Sequence, residues 1–503
     1  MTKFISTHNG HILSMNDIPC LPIHDFLEEI VKEVKNGARI ACLSVNPMFD
    51  GTKMLFAVLA QKETSSLLIA FSEIKKDFPS ITPNCTQVHL FEREIAEQWG
   101  VIPIGHPWLK PVRFEEPHFN SANASDKRHP TECGVMEYFH MDGEEIHEVA
   151  VGPVHAGIIE PGHFRFQCHG ETVYHLEISL GYQHRGVENA LVTSPNKRRI
   201  HYAETLAGDT TIGHATAYCR AIESLSKISI TPRAQIIRGI ALELERVANH
   251  IGDLGALAGD IGFLPTQSYC GRIRGDVLNL TAAICGNRFG RGLVRPGGIN
   301  FDITDKTIND FLERIKIIMR DSESAVNLLW NTPSVLARLE GTGTISSELC
   351  KNIGLVGVAA RACGEHIDVR KDFPYGIYRF SHIPIATCPS GDVFARALVR
   401  WQEVERSLNF VQDQLEALPH GIVLNPIFEL LPQSMIVTLV EGWRGEICHV
   451  AFTDNKNQLS GYKIVDPSFH NWFGLACAMR NQQISDFPLC NKSFNLSYCG
   501  YDL

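Results

Sequence analysis

No two of the 15 cysteines in these 503 residues form a C-x-x-C pair. Thiolates at that spacing build zinc sites, iron–sulfur sites and redox dithiols, so no cluster-binding set is visible in this chain. No G-x-G-x-x-G is present, since Gly341-Thr342-Gly343 lacks its third glycine, and G-x-x-x-x-G-K-[ST] is absent. A phosphate cradle for a nucleotide is therefore missing. There is no G-x-S-x-G elbow and no H-E-x-x-H pair, which removes the hydrolase and zincin signatures. No apolar run approaches the roughly 18 residues a membrane-spanning helix needs; the best are short, such as Met54–Ala60. Basic excess is lacking too. A net charge of −10 and a pI near 6.1 argue against a general nucleic-acid binder, which must neutralise phosphates. The N-terminus has no long apolar segment of the secretory type, and no charge block, repeat or low-complexity stretch appears.

What is present reads as a globular protein. The chain is 44% hydrophobic and 20% charged, and too long for one ordinary core, so at least two domains are expected. An odd number of scattered cysteines suits a reducing cytoplasm, where single thiols serve as small hydrophobes. Residues 1–115 contain an α+β unit. Ile23–Val34 has helical spacing, while Ile40–Val45, Met54–Leu59 and Ser66–Phe71 read as strands. Phe91–Trp99 reads as a helix closed by Gly100. Residues 116–145, with EEPHFNSANASDKRHPTECG, read as a polar linker.

Residues 146–503 read mainly as helices. Across Arg233–Leu257, Ile237, Ile240, Leu244, Val247, Ile251 and Leu254 form one apolar stripe. Glu243, Arg246, His250 and Asp253 form a second stripe, roughly 100° round the helix. It is either a solvated, salt-bridged surface or a polar contact inside a larger core; periodicity alone favours the solvated surface.

FEREIAEQWGVIPIGHPWLKPVRF (Phe91–Phe114) resembles the signature of the NuoC, or 30-kDa, subunit of NADH:quinone oxidoreductase. Glu92-Arg93-Glu94, Gly100 and Gly105-His106-Pro107 match it, and Glu97 stands for the family's Asp. The residue types read as structural: a charged helix, a glycine stop and a proline-fixed turn.

From about Val149 onward the chain resembles the NuoD, or 49-kDa, subunit and the large subunits of group 4 nickel–iron hydrogenases such as formate hydrogenlyase. VGPVHAGIIEPGHFRF (Val151–Phe166), LEISLGYQHRGVE (Leu176–Glu188), ALELERVANH (Ala241–His250), DVRKDFPY (Asp368–Tyr375), EGWRGE (Glu441–Glu446) and DPSFHNW (Asp466–Trp472) occur in family order. The resemblance implies an α+β, NuoC-like domain followed by a large, mainly α-helical hydrogenase-large-subunit-like domain with small β elements.

In such hydrogenases four thiolates from two C-x-x-C motifs hold nickel. Aligned on His214, the first pair falls at Ala207 and Thr210; aligned on Ser493, the second falls at Ser497 and Gly500, with Cys499 between them and off register. The resemblance therefore disfavours a nickel–iron centre, because hydroxyls and a methyl do not replace soft thiolates. The complex I branch uses this cavity for quinone, through a loop histidine and a tyrosine. Here the loop offers His155 and His163, and the tyrosine position reads Gly208. Polar positions of the family motifs fall on His214, Arg361, Asp368, Arg370, Asp372, Arg444 and Glu446. They either line a proton or substrate path or form a buried ion network that positions helices.

The function implied is a peripheral subunit on the cytoplasmic face of the inner membrane. It belongs to an oxidoreductase acting on NAD(P)H as a whole complex, with electron transfer to a quinone or other small acceptor coupled to ion translocation. The implied partners are a NuoB-like small Fe–S subunit, a ferredoxin-like subunit and membrane ion-translocating subunits, with the Fe–S clusters on the partners and no cofactor in this chain. The alternatives are a non-catalytic scaffold or coupling subunit and, further off, an active group 4 hydrogenase component.

Overall fold

The computed structural model describes residues 2–47, 51–117, 132–154 and 159–503. Near the N-terminus, Ile5–Thr7, Ser66–Ile74, Lys53–Gln61 and Arg39–Pro47 form a four-stranded antiparallel sheet in that spatial order. The strands are nearly all buried residues on both faces, which is why they read as continuous apolar runs rather than alternating ones. The helix Ile23–Lys35 covers one face through Phe26 and Ile30. The helix His89–Trp99 ends at Gly100, whose φ of 62° lets its N–H cap the carbonyl of Ala96.

The N-terminal segment also contributes elsewhere. Ile12–Ser14 pairs with Ser434–Glu441 and completes a second four-stranded sheet with Glu446–Thr453 and Leu459–Val465. One continuous apolar core runs through both sheets. A third sheet of Ile146–Val151, His163–His169 and Thr172–Ser179 lies between them in the chain. The Glu92–Glu97 motif ties these parts together. Glu92 accepts from the Ser80 and Thr82 hydroxyls. Glu97 accepts from the backbone N–H groups of Val112, Arg113 and Glu115. Glu94 pairs with Arg113 and, 2.6 Å away, with Lys463 of the C-terminal sheet.

The helices Thr211–Leu225, Pro232–Asp260, Leu264–Cys285, Asp305–Trp330 and Val393–Glu416 make the helical body. Thr231 caps the longest, its hydroxyl accepting from the Ala234 N–H, with Pro232 at the first helical position. The polar stripe on that helix is not solvated. Glu243, Arg246 and His250 have no exposed surface and Asp253 is buried. The solvated reading is therefore overturned. Val393–Glu416 lies alongside and turns Arg400 and Glu403 inward against Asp253 and His250. No helix among the described residues is long and apolar enough to cross a membrane.

Candidate functional site

Two buried polar centres meet at the hairpin turn Glu441–Glu446. Gly442 and Gly445 exchange backbone hydrogen bonds of 2.8 and 3.1 Å to close the turn. Gly445 has a φ of 140°, and a Cβ there would lie 2.8 Å from the Gly357 backbone, so two chain segments touch where only glycines permit it.

The first centre is an ion cluster. Arg361 lies 2.7 Å from Glu441 and 2.6 Å from Glu403. Arg370 pairs with Asp368 at 2.6 Å and with Glu243 at 3.0 Å. Arg246 donates to Glu243 at 3.0 Å and to the carbonyls of Glu441 and Gly442 at 2.7 and 3.0 Å, so it also holds the turn. Tyr378 and Ser407 each donate to Glu243 at 2.6 Å. Three arginines thus face four carboxylates, and all are buried. With one negative charge in excess, one carboxyl keeps its proton most readily. Glu441 is that group: burial, then the neighbouring Asp368, push it up to about 7. Glu403 and Asp368 are held below the usual carboxylate range despite burial, by Arg361 and Arg370 respectively before their other partners. The Nε2–H of His250 donates to Glu403 at 2.7 Å, and burial pushes the imidazole down to about 4.

The second centre lies beyond the turn. Arg444 forms a bidentate pair with Asp209 at 2.7 and 2.8 Å and donates to the Asn495 carbonyl. It therefore bridges the segment holding Ala207 and Thr210 to the segment holding Ser497 and Gly500. Trp443 donates to the Asp209 carbonyl and the Thr210 hydroxyl at 3.0 and 3.1 Å. Ser497 accepts from the Gly500 N–H at 2.9 Å and caps the terminal helix Tyr498–Asp502. A Cβ on Gly500 would lie 2.8 Å from the Asp466 carboxylate and 2.9 Å from the Ser497 hydroxyl, whereas one on Gly208 would meet nothing within 4 Å.

From Asp466 a hydrogen-bonded row runs through the interior. Asp466 to His214 is 2.9 Å, His214 to His449 is 3.1 Å, and His449 to Tyr462 is 2.9 Å. All four residues are buried. Burial, and then His214, hold His449 well below its ordinary pKa, so it is neutral. Asp466 stays ionised despite burial through its hydrogen bond and charge interaction with His214 and the charge of Arg444.

The residues named from sequence divide between these places. Arg361, Asp368 and Arg370 come together in the ion cluster, with Asp372 at its edge accepting the Asp368 N–H at 2.9 Å. His214 and Arg444 belong to the second centre. Glu446 pairs instead with Arg39 of the N-terminal sheet. His163 begins its strand and packs on Tyr138, ring centroids 5.2 Å apart. His155 lies outside the described residues. Glu441 and Asp466 open two of the motifs but are not among the polar positions named from them, and Asp209, Glu403, His449 and Tyr462 lie outside the motifs quoted. The signal available for Glu403 is the spacing Arg396, Arg400, Glu403, which puts three charges on one side of the helix Val393–Glu416. A cleft of about 640 Å³ opens between the N-terminal unit and the cluster, lined among others by Arg39, Cys350, Asp368, Asp372, Glu441 and Glu446.

Residues 260–430 match the family described as respiratory-chain NADH dehydrogenase, 49 Kd subunit. The chain belongs to the family that joins this subunit to related hydrogenase proteins. It is 31% identical over 351 residues to the carbon monoxide-induced hydrogenase of Rhodospirillum rubrum, an alignment covering 69% of this chain and 96% of that protein. Formate hydrogenlyase subunit 5 of Escherichia coli is 27% identical over 497 residues, 94% of this chain and 87% of its own. NADH-quinone oxidoreductase subunit 4 of Thermus thermophilus is 27% identical over 369 residues, 68% of this chain and 90% of its own. As a member of that family the chain is a subunit of a complex I-like or hydrogenase-like membrane complex.

Proposed function

We propose that the chain is a peripheral subunit that carries the final electron-acceptor site without a nickel–iron centre. The acceptor is a quinone or another small molecule, and its reduction is coupled to ion translocation by membrane partners. The observation that carries this reading is the set Ala207, Thr210, Ser497 and Gly500. A methyl, two hydroxyls and a bare backbone offer no soft donor to nickel, and Asp466 occupies the space a side chain at 500 would enter. One thiol, Cys499, lies 3.5 Å from the Ser497 hydroxyl, and a single soft donor does not make the four-thiolate set that nickel would need.

Electrons would arrive from a NuoB-like small Fe–S subunit, itself fed through a ferredoxin-like subunit, on the cytoplasmic face of the inner membrane. The chain's own part is proton supply. Glu441 lies between the cleft and the cluster, and it is the carboxyl that exchanges a proton near neutrality. From Glu441 the contacts continue through Arg361 and Glu403 to His250, whose ring meets Trp443 edge-on at 6.1 Å. The Nδ1 of His250 is buried and has no partner among the described residues. The Asp466–His214–His449–Tyr462 row serves the pocket from the other side. Gly208 leaves open the space where the complex I branch has its tyrosine, so quinone contacts would come from other groups.

A second reading is favoured by the close pairing of the cluster: a coupling scaffold whose charges hold helices in register. Affinity-purified complex decides between the readings. Metal analysis should find iron but no stoichiometric nickel, and solvent extraction should recover quinone; one nickel per complex overturns the proposal. Glu441→Gln should slow turnover, shift its pH profile and leave assembly intact. Loss of assembly with no change in the profile supports the scaffold.

A further inference from the structure

A second cavity, of about 160 Å³, lies where the helices Thr211–Leu225 and Pro232–Asp260 meet the turn Gly376–Arg379. Its walls are of two kinds. Ile228, Ile230, Leu242 and Ile377 give an apolar side, while Arg220, Arg238 and Arg379 bring three positive charges against the one carboxylate of Glu223. That carboxylate is already engaged. It accepts from Arg238 at 2.5 and 3.0 Å and from the Gly297 N–H at 2.9 Å.

Two guanidinium groups are thus left without a counter-ion among the described residues. Arg220 donates to the Leu439 carbonyl at 2.8 Å and to the Asn9 side-chain oxygen at 3.4 Å, both neutral acceptors. It is held in place, 4.6 Å from the centre of the Tyr375 ring and so close to Gly10 that a Cβ there would lie 2.8 Å from it. Arg379 is exposed and makes one contact, at 3.4 Å, with the Pro374 carbonyl. Burial pulls the pKa of Arg220 down to about 10; Tyr375 counters this in part, and the charge of Arg379 adds to it. A charge network that only holds helices together matches cations with anions, as the cluster around Arg361 does. Here the match is missing on the cavity side, and a fixed guanidinium fork is shaped for a planar oxyanion.

We propose that this cavity binds a small organic carboxylate, its oxygens on Arg220 and Arg379 and its apolar part against Ile228, Ile230, Leu242 and Ile377. A cavity of roughly 150 Å³ takes up benzene, so the ligand has on the order of six to nine non-hydrogen atoms. A phosphate would turn its remaining oxygens toward the apolar wall, where those side chains offer no donor. Tyr378 lines the same cavity and donates to Glu243 at 2.6 Å, and the Tyr375 hydroxyl accepts from the Glu441 N–H at 3.2 Å. The bound anion therefore lies one side chain away from the ion cluster. This inference does not rest on the proposed function.

The test is thermal unfolding of the purified full chain in sodium benzoate, sodium phosphate and sodium chloride at matched ionic strength, with calorimetric titration of benzoate. A ligand that binds only the folded chain raises the melting temperature with its concentration. Benzoate should do so above the chloride control and titrate to one site per chain. Arg379→Gln has no ion pair to lose, so its melting temperature in chloride should equal that of wild type while benzoate binds about tenfold more weakly or worse. Arg220→Gln should abolish binding, and Arg379→Gln decides the matter if that variant does not fold. Three results overturn the proposal: benzoate acts no differently from chloride, phosphate binds more tightly than benzoate, or Arg379→Gln binds benzoate as wild type does.

Discussion

Gly500→Ala and Gly208→Ala make the same chemical change in the two segments that Arg444 bridges, and the surroundings of the two glycines set the outcomes far apart. At 500 the new methyl would sit 2.8 Å from the carboxyl carbon and Oδ2 of Asp466 and 2.9 Å from the Ser497 hydroxyl. Neither neighbour is free to move. Asp466 is fixed by His214 at 2.9 Å and by the Ser468 N–H at 2.8 Å, and Ser497 caps the last helix. Overpacking costs about 1–3 kcal/mol, and a strained hydrogen bond to a charged group adds about 1.5–3 kcal/mol. A loss of about 3–5 kcal/mol is expected for Gly500→Ala. At 208 the methyl meets nothing within 4 Å, so the change should stay within about 0.5 kcal/mol. Thermal or urea unfolding of the purified protein reads both. Asp466→Ser opens the space, so the double variant Gly500→Ala/Asp466→Ser should be less unstable than the two single changes added together, by on the order of 1–3 kcal/mol of coupling. Equal melting temperatures for the two alanine variants, or strict additivity in the cycle, would refute the reasoning.

The remaining expectations concern charge. Arg361→Met leaves Glu403 and Glu441 facing one another without their shared cation; unfolding titrations should show a loss of about 3–5 kcal/mol. Lys463→Met strips Glu94 and Glu188 of a buried partner at 2.6 and 3.0 Å and should cost about the same, with the N-terminal sheet exchanging amide protons faster than before. Glu245 accepts from the N–H groups of Ile212 and Gly213, yet burial pushes its carboxyl up to about 8. Its folded pKa lies above the unfolded value, so its contribution is complete below about pH 4.5 and fades as pH rises through 8. Glu245→Gln removes that titration. The stability of the variant relative to wild type should climb between pH 5 and 8 by on the order of 3 kcal/mol, and a difference that stays flat over this window would count against it.

How much of this is legible in the sequence depends on the range of the interaction. The strands Arg39–Pro47, Lys53–Gln61 and Ser66–Ile74 and the helix Ile23–Lys35 can be read because their apolar spacing is local. The stripe Glu243, Arg246, His250 reads as a solvated face, since periodicity reports that charges share a side but not what that side meets. Its partner stripe, Arg396, Arg400 and Glu403, lies about 150 residues on, and nothing local relates the two. The motifs lead to Arg361, Asp368, Arg370 and His214; Glu441 opens the EGWRGE motif too, but its titration depends on charges carried by several separate segments, which the motif does not report.

The sequence by itself determined which side chains stand at Ala207, Thr210, Ser497 and Gly500, none of them a thiol; that the thiol of Cys499 comes to lie 3.5 Å from the Ser497 hydroxyl is a property of the fold. It also made the N-terminal strands and the helices legible, whose periodicity is a property of neighbouring residues, but not the strands Ser434–Glu441, Glu446–Thr453 and Leu459–Val465. Only the tertiary structure decided that Asp466 enters the space beside Gly500, that Arg444 pairs with Asp209, and that burial beside Asp368 pushes Glu441 up to about 7. Those outcomes depend on which charges meet out of water, where interactions strengthen and desolvation is costly, and that is set by contacts between residues hundreds of positions apart.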